Sequence, residues 1–176
     1  MEKVDFNSDL ADIIAIVGKA GVVTELTEWE QDAIKNYKEQ ANKRFYNDNK
    51  ECAKFLINLM IGTAKKDVKI YSGGFSEEYY QHAIKNTKAT VVVLVDDNSN
   101  ISWTKNYDNV TCHTISQNNT EEESNHFFLV DGKAFRYETN KKVGTAIANF
   151  NEEDTVKKGI KRFNKMLSNA LPVLST

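Results

Sequence analysis

The sequence predicts an α/β fold: a mixed sheet flanked by helices, with an α-helical segment ahead of it. Three observations predict it. The hydrophobic period changes from 3.6 to 2 at Asp67, a run of β-branched residues follows one helix later, and an amphipathic helix closes the chain. The expected division is a helical segment over residues 1–66, packed on an α/β domain over residues 67–176.

In the first segment Leu10, Ile13, Ile14 and Val17 fall at i, i+3, i+4 and i+7, one stripe of a short helix. Ser8 or Asp9 is placed to cap it, and Gly18 and Gly21 end it. Thr27 and Glu30 have the three-residue offset of a capping box, so a second helix starts there. The pattern stays polar to about Phe45, and Asn47-Asp48-Asn49 offers a break. Cys52, Phe55, Leu56, Leu59 and Met60 then resume the stripe, which predicts a helix pair or one long bent helix ending near Gly62 to Lys66.

In the second segment Val68-Lys69-Ile70-Tyr71-Ser72 alternates as a strand, and Gly73-Gly74 punctuates it. Ser76, Glu77 and Glu78 suit the positive end of a helix over about residues 77–86. Thr90-Val91-Val92-Val93-Leu94-Val95 reads as a central strand buried on both faces, so strand, helix and strand make a right-handed βαβ unit. Val110 to Ile115 forms a further strand. Asp131-Gly132 is a two-residue turn between Phe127-Phe128-Leu129-Val130 and Lys133-Ala134-Phe135-Arg136-Tyr137. Thr145 to Phe150 forms a last short strand. The closing helix keeps Val156, Ile160, Phe163, Leu167 and Leu171 on one face until Pro172 stops it.

At 176 residues and 20.0 kDa the chain is sized for one domain with a real core, and it shows no internal repeat. A formal charge of −2 and a pI near 6.0 argue against nucleic acid as the favoured partner, although short basic pairs at Lys65-Lys66 and Lys141-Lys142 leave a local patch open. Glu121-Glu122-Glu123 stands between those pairs as solvated surface. Cys52 and Cys112 lie in apolar segments without a C-x-x-C, which predicts free thiols and a cytoplasmic protein. The run Ile13 to Val17 is far short of a membrane span and has no basic leader, so neither an anchor nor a signal peptide is expected. Abundant Asn and Lys fit an AT-rich genome of bacterial or phage type.

Candidate chemistry concentrates at one loop and one strand. Tyr71-Ser72-Gly73-Gly74 joins the carboxyl end of a strand to a helix, where free backbone N–H groups receive anions, and Asp96-Asp97 ends the neighbouring strand. Ser72, Gly73, Gly74 and Asp96 are therefore candidate ligand-binding residues for a phosphate or nucleotide; a simple tight turn is the other reading, since no Gly-x-Gly-x-x-Gly or Walker lysine is present. Two adjacent carboxylates alone do not make a cation site, and His82, His113 and His126 have no metal-site spacing, so no metal and no cofactor are predicted. Cys112 and His113, adjacent on a strand, point to opposite faces and cannot act together. His126, at the start of an apolar strand, is the best single catalytic candidate; an imidazole bonded to backbone at a strand end is the structural alternative.

The order of these elements, from Lys69-Ile70-Tyr71-Ser72-Gly73-Gly74-Phe75-Ser76 through the Val-rich strand, the Asp131-Gly132 hairpin, Thr145-Ala146-Ile147-Ala148-Asn149-Phe150-Asn151 and the last helix, resembles a phospholipase D-like half-domain. The resemblance covers roughly the last hundred residues. It implies a His-x-Lys before the hairpin aspartate and a Gly-Ser-x-Asn after the hairpin, with His attacking phosphorus and Lys holding the phosphate oxygens. Here the motif is degenerate. Aligned on Asp131, Ser124 stands at the His position and His126 at the Lys position; aligned on His126, Phe128 takes the Lys position and Lys133 the final Asp position. Ala146 and Ile147 replace Gly-Ser, and only Asn149 fits. Losing either nucleophile or cation costs several kcal/mol of transition-state stabilisation. The expectation is a non-catalytic binding or regulatory module for a protein partner or a phosphate-containing ligand. The alternative is a divergent phosphodiesterase or nuclease acting through His126, with Asn149 and with Lys133 or Arg136 as replacement cation. The resemblance also implies a homodimer, since single-copy members pair two half-domains.

Overall fold

The computed structural model describes residues 6–18, 26–96, 100–116, 125–140, 142 and 144–173, with side chains from Leu10 onward. Helices α1 (Phe6–Ile16), α2 (Glu28–Lys38) and α3 (Lys50–Gly62) come first, with a three-residue strand, β1 (Phe45–Asn47), between the second and third. Then follow β2 (Asp67–Ser72), α4 (Glu77–Asn86), β3 (Thr90–Asp96), a 3₁₀ turn at Ser102–Asn106, β4 (Val110–Ile115), β5 (Phe127–Val130), β6 (Ala134–Asn140), β7 (Thr145–Asn149), α5 (Glu153–Leu167) and β8 (Leu171–Pro172). Among the described residues the strands make one mixed sheet in the order β1-β7-β6-β5-β2-β3-β4-β8.

Local chemistry explains most boundaries. Glu30 N–H donates to Thr27 Oγ1 and Thr27 N–H to Glu30 Oε2, the reciprocal capping box at α2. Asn49 Oδ1 accepts from Cys52 N–H to start α3. The β2–β3 and β3–β4 pairs are parallel, while β2–β5, β5–β6 and β6–β7 are antiparallel. Asp131 (φ 52°) and Gly132 (φ 73°) both take left-handed backbone in a turn closed by Lys133 N–H to Val130 O at 3.1 Å, but the ladder resumes with Val130 opposite Ala134, so Lys133 belongs to a three-residue connection and not to the strand.

The sheet separates two apolar layers. On one face α1 to α4 cover Val68, Ile70, Val91, Val93, Val95 and Phe128; on the other α5 covers Tyr71, Leu94, Ile115, Phe127, Leu129 and Phe135 through Val156 and Phe163. Gly159 lets α5 lie close, because a Cβ there would come within 2.8 Å of Leu129 Cδ2.

Four further sequence expectations need correcting. The segment 1–66 is not wholly helical: β1 adds an edge strand antiparallel to β7, with Tyr46 opposite Ile147, and three residues are too few for a period-2 signal. α1 begins at Phe6, so Ser8 and Asp9 lie inside it. Ser76 holds the N-cap position of α4, but its hydroxyl makes no capping bond; Glu77 and Glu78 supply the first-turn charge. α5 ends at Leu167, where Ser168 N–H bonds back to Asn164 and Met166 carbonyls, so Pro172 does not stop it. Leu171 and Pro172 instead pair with Thr114 and His113 on the sheet edge, where a missing N–H is tolerated, and Leu171 is 71% exposed. Gly21, Asp97, Ser124, Lys141 and the Glu121–Glu123 run lie outside the described residues.

Candidate functional site

The carboxyl edge of the parallel strands gathers a polar cavity. β2 delivers Ser72 and Gly73, the first residue before β5 is His126, and β6 delivers Arg136 and Glu138. Register does the gathering: Phe128 pairs with Arg136 and Phe127 with Tyr137, so His126 and Glu138 face one another across the hairpin, and Glu138 N–H donates to His126 O at 2.8 Å. Alternation then puts His126, Phe128, Arg136 and Glu138 on the face toward α3 and α4. There they meet Ala53 and Ile57 of α3 and Tyr79 and Tyr80 of α4 around a cavity of about 230 Å³, with Lys50 at its rim.

Both nitrogens of His126 are engaged. Gly73 N–H donates to Nε2 at 2.9 Å, which requires the Nδ1–H tautomer. Nδ1 lies 3.0 Å from Glu138 Oε2, within ion-pairing distance though off the axis of a well-formed hydrogen bond. Tyr71 meets the imidazole edge to face, with ring centres 6.1 Å apart. Gly73 is the tightest point: a Cβ there would lie 2.9 Å from His126 Nε2 and 2.8 Å from Asp96 Oδ2. Asp96 is further tied by the Tyr71 hydroxyl, 3.4 Å from its Oδ1.

Arg136 is the unusual charge. It is only 4% exposed, yet its partners are neutral oxygens: Nε donates to Asn47 Oδ1 at 3.1 Å and Nη2 to Gly144 O at 3.3 Å. A guanidinium has five N–H donors, so three remain without an acceptor among the described residues, on a side chain that lines the cavity. Burial pulls Arg136 below its ordinary value, and nearby Tyr80 and Glu138 pull it back up. Tyr80 moves oppositely: burial raises its hydroxyl, against the charge of Arg136 and a hydrogen bond shared with Ser72.

The expected site residues therefore divide. Ser72, Gly74 and His126 line one cavity, Gly73 bonds to His126, and Asp96 braces the same loop. Lys133 and Asn149 lie at the other end of their strands. Asn149 sits opposite Phe135, next to the hairpin turn, and is consumed by bonds to Asn42 Oδ1, Glu152 Oε2 and the Asn151 N–H. Lys133 donates to Gln40 Oε1. Glu138 and Asn47 went unnoticed in the sequence. Counting outward from a two-residue Asp131-Gly132 turn places Tyr137 opposite His126; the ladder instead pairs Val130 with Ala134, and that one-residue offset brings Glu138 there. Asn47 gave no signal, since Arg136 and Gly144 lie about ninety residues away in sequence.

His113 and Cys112 fall on opposite faces, with Cys112 in the helix-covered core beside Thr104 Oγ1. Cys52 and Cys112 are free thiols, each raised above its ordinary value by burial. Among the described residues no three His, Cys, Asp or Glu side chains converge to hold a metal, and no helix is long and apolar enough to cross a membrane.

A βαβ unit continued by an antiparallel hairpin, with a polar cavity at the carboxyl edge and one long helix behind, is the phospholipase D-like half-domain fold. Among solved structures, Nuc from Salmonella typhimurium, a phospholipase D family member, superposes with a TM-score of 0.60 at 13% identity, covering 76% of this chain and 97% of that one. NucT from Helicobacter pylori gives 0.54 at 16% identity over 84% and 95%. TrmBL2, an archaeal chromatin protein with a novel mode of DNA binding, gives 0.57 at 12% identity over 82% of this chain, which spans 64% of its length. At these identities the likeness is one of fold. No protein-family model and no curated protein matches the sequence.

Proposed function

We propose that the protein is a non-catalytic phospholipase D-like module that binds a phosphate-bearing ligand in the cavity at the carboxyl edge, with Arg136 as the anion anchor and Ser72, Gly74 and Lys50 around it. One observation carries the non-catalytic part: the Nε2 lone pair of His126, which a nucleophile must present to phosphorus, is taken by Gly73 N–H. His126 in this reading is a strut between the glycine loop and Glu138. A buried guanidinium with donors to spare supports the ligand class, because planar N–H forks match phosphate oxygens. Asp96, as a carboxylate, holds the loop and does not touch the anion.

The rival reading is a divergent phosphodiesterase acting through His126. The His126–Glu138 pair beside Arg136 favours it, since a carboxylate on one imidazole nitrogen orients the ring of a catalytic histidine. One experiment separates the two. Titration with phenyl phosphate, followed by the imidazole NMR signals of His126, is expected to saturate and to weaken about 10- to 100-fold in Arg136→Met. Hydrolysis of bis(p-nitrophenyl) phosphate that disappears in His126→Ala would overturn the non-catalytic reading. A homodimer and a cytoplasmic location belong to the same proposal, supported by the single half-domain and by two free thiols; a monomer in sedimentation at micromolar concentration would remove the dimer.

A further inference from the structure

A second concavity lies at the opposite edge of the sheet and owes nothing to the phosphate cavity. It consists of two joined hollows of about 750 and 190 Å³, which share Tyr37, Gln40, Thr63, Ala64 and Lys65. Its floor is apolar, built from Ile13 and Ile16 of α1, Met60 of α3 and Val130 of β5. Its walls carry Lys38, Lys65, Lys88 and Lys133. Two carboxylates line it, Asp12 and Asp131, and the second is already occupied, because its oxygens accept the backbone N–H groups of Lys65, Lys66 and Asp67. Lys65 and Lys88 are exposed, and neither pairs with a carboxylate among the described residues.

We infer that this groove docks an acidic amphipathic segment of a protein partner. Charge complementarity assigns the sign: four lysines line a surface with two aspartates, of which Asp131 is already held by backbone N–H groups and Asp12 alone opposes an acidic partner. The floor assigns the class. An amphipathic segment lays apolar side chains into an apolar groove and keeps its carboxylates at the rim. A nucleic-acid strand instead needs aromatic platforms for its bases. Among the described residues Tyr37 and Phe150 are the aromatic rings lining the joined hollows; they meet edge to face, and Phe150 is only 1% exposed. The overall charge of −2 also opposes a densely charged polymer.

The test is fluorescence anisotropy with the full chain and a labelled peptide of Glu and Leu at helical spacing. Saturable binding is expected, weakening roughly tenfold in the double variant Lys65→Glu/Lys88→Glu. It should stay unchanged in Lys158→Glu/Lys161→Glu, an equal charge change on the exposed side of α5. A scrambled peptide of the same composition should bind more weakly. Absence of saturable binding, equal losses in both double variants, or equally effective competition by an oligodeoxythymidylate of matched charge would each overturn the proposal. Melting temperatures of both variants, expected to match the parent, separate lost binding from lost fold.

Discussion

The two ends of the central hairpin treat charge in opposite ways. At the turn end Asp131 points its carboxylate at the amino end of β2, where three backbone N–H groups satisfy it at 2.8 to 3.2 Å. At the other end Arg136 is more deeply buried and is given only an amide and a carbonyl oxygen. Burying a charge that is hydrogen-bonded only to neutral oxygens, with Glu138 near but not bonded to it, costs several kcal/mol after relaxation, and folds rarely retain such a group unless something uses it. The difference teaches where the molecule is finished and where it is waiting: the turn is closed by its own backbone, whereas the cavity keeps donors in reserve.

The largest effect should come from the finished end. Asp131→Ala removes the acceptor of three N–H groups and the short polar side chain that lets an aspartate tolerate the left-handed region, together worth about 3 kcal/mol. Urea denaturation should show this loss, whereas Asp131→Asn, which tolerates that backbone, should lose about half as much. A loss below about 0.5 kcal/mol for the alanine would mean the turn does not depend on the carboxylate. Next comes Gly73→Ala, which sets a methyl against His126 and Asp96 and should cost about 2 kcal/mol. It should also release Nε2, visible as a changed tautomer in imidazole nitrogen shifts. Unmoved shifts would show that the loop, not His126, gives way. Arg136→Met should change stability by less than about 1 kcal/mol, since an apolar side chain of similar length replaces a poorly compensated charge. A loss of 3 kcal/mol or more would make Arg136 a structural residue and weaken its role as anchor.

How much of this was legible follows from the range of each interaction. The βαβ unit, the Asp131-Gly132 turn and the α2 capping box depend on residues a few positions apart, and their patterns stood in the sequence. The carboxyl-edge loop was legible as well, because strand-to-helix junctions have a recognisable composition. β1 was not: Phe45–Asn47 becomes a strand only because β7, a hundred residues later, offers a free edge. Asn47 and its bond to Arg136 were hidden for the same reason. The second-motif alignment put Asn149 beside His126, but β7 runs antiparallel to β6 and carries Asn149 to the turn end, while Glu138 arrives where a partner for His126 was sought.

At neutral pH Tyr80→Phe, which removes one hydrogen bond to Ser72, should cost no more than about 1 kcal/mol. Its pH dependence is more informative. Burial raises the Tyr80 hydroxyl above its ordinary value near 10, and Glu138 adds to that, while Arg136 and Ser72 oppose it. A tyrosine raised in the folded state favours folding fully below the unfolded value, and its contribution is lost as pH rises through the folded one. The parent should therefore lose stability from about pH 10 upward, more steeply than Tyr80→Phe, whose remaining slope comes from Tyr137, Cys52 and Cys112, raised by their own burial. Saturating phenyl phosphate sharpens the contrast. An anion on Arg136 cancels the cation that partly stabilises the Tyr80 phenolate, so the ligand should push the ionisation of folded Tyr80, followed by phenolate absorbance, upward, a shift missing from Tyr80→Phe. Equal ionisation with and without ligand would mean that phosphate does not reach the guanidinium, and the two ends of the hairpin would then differ in burial but not in use.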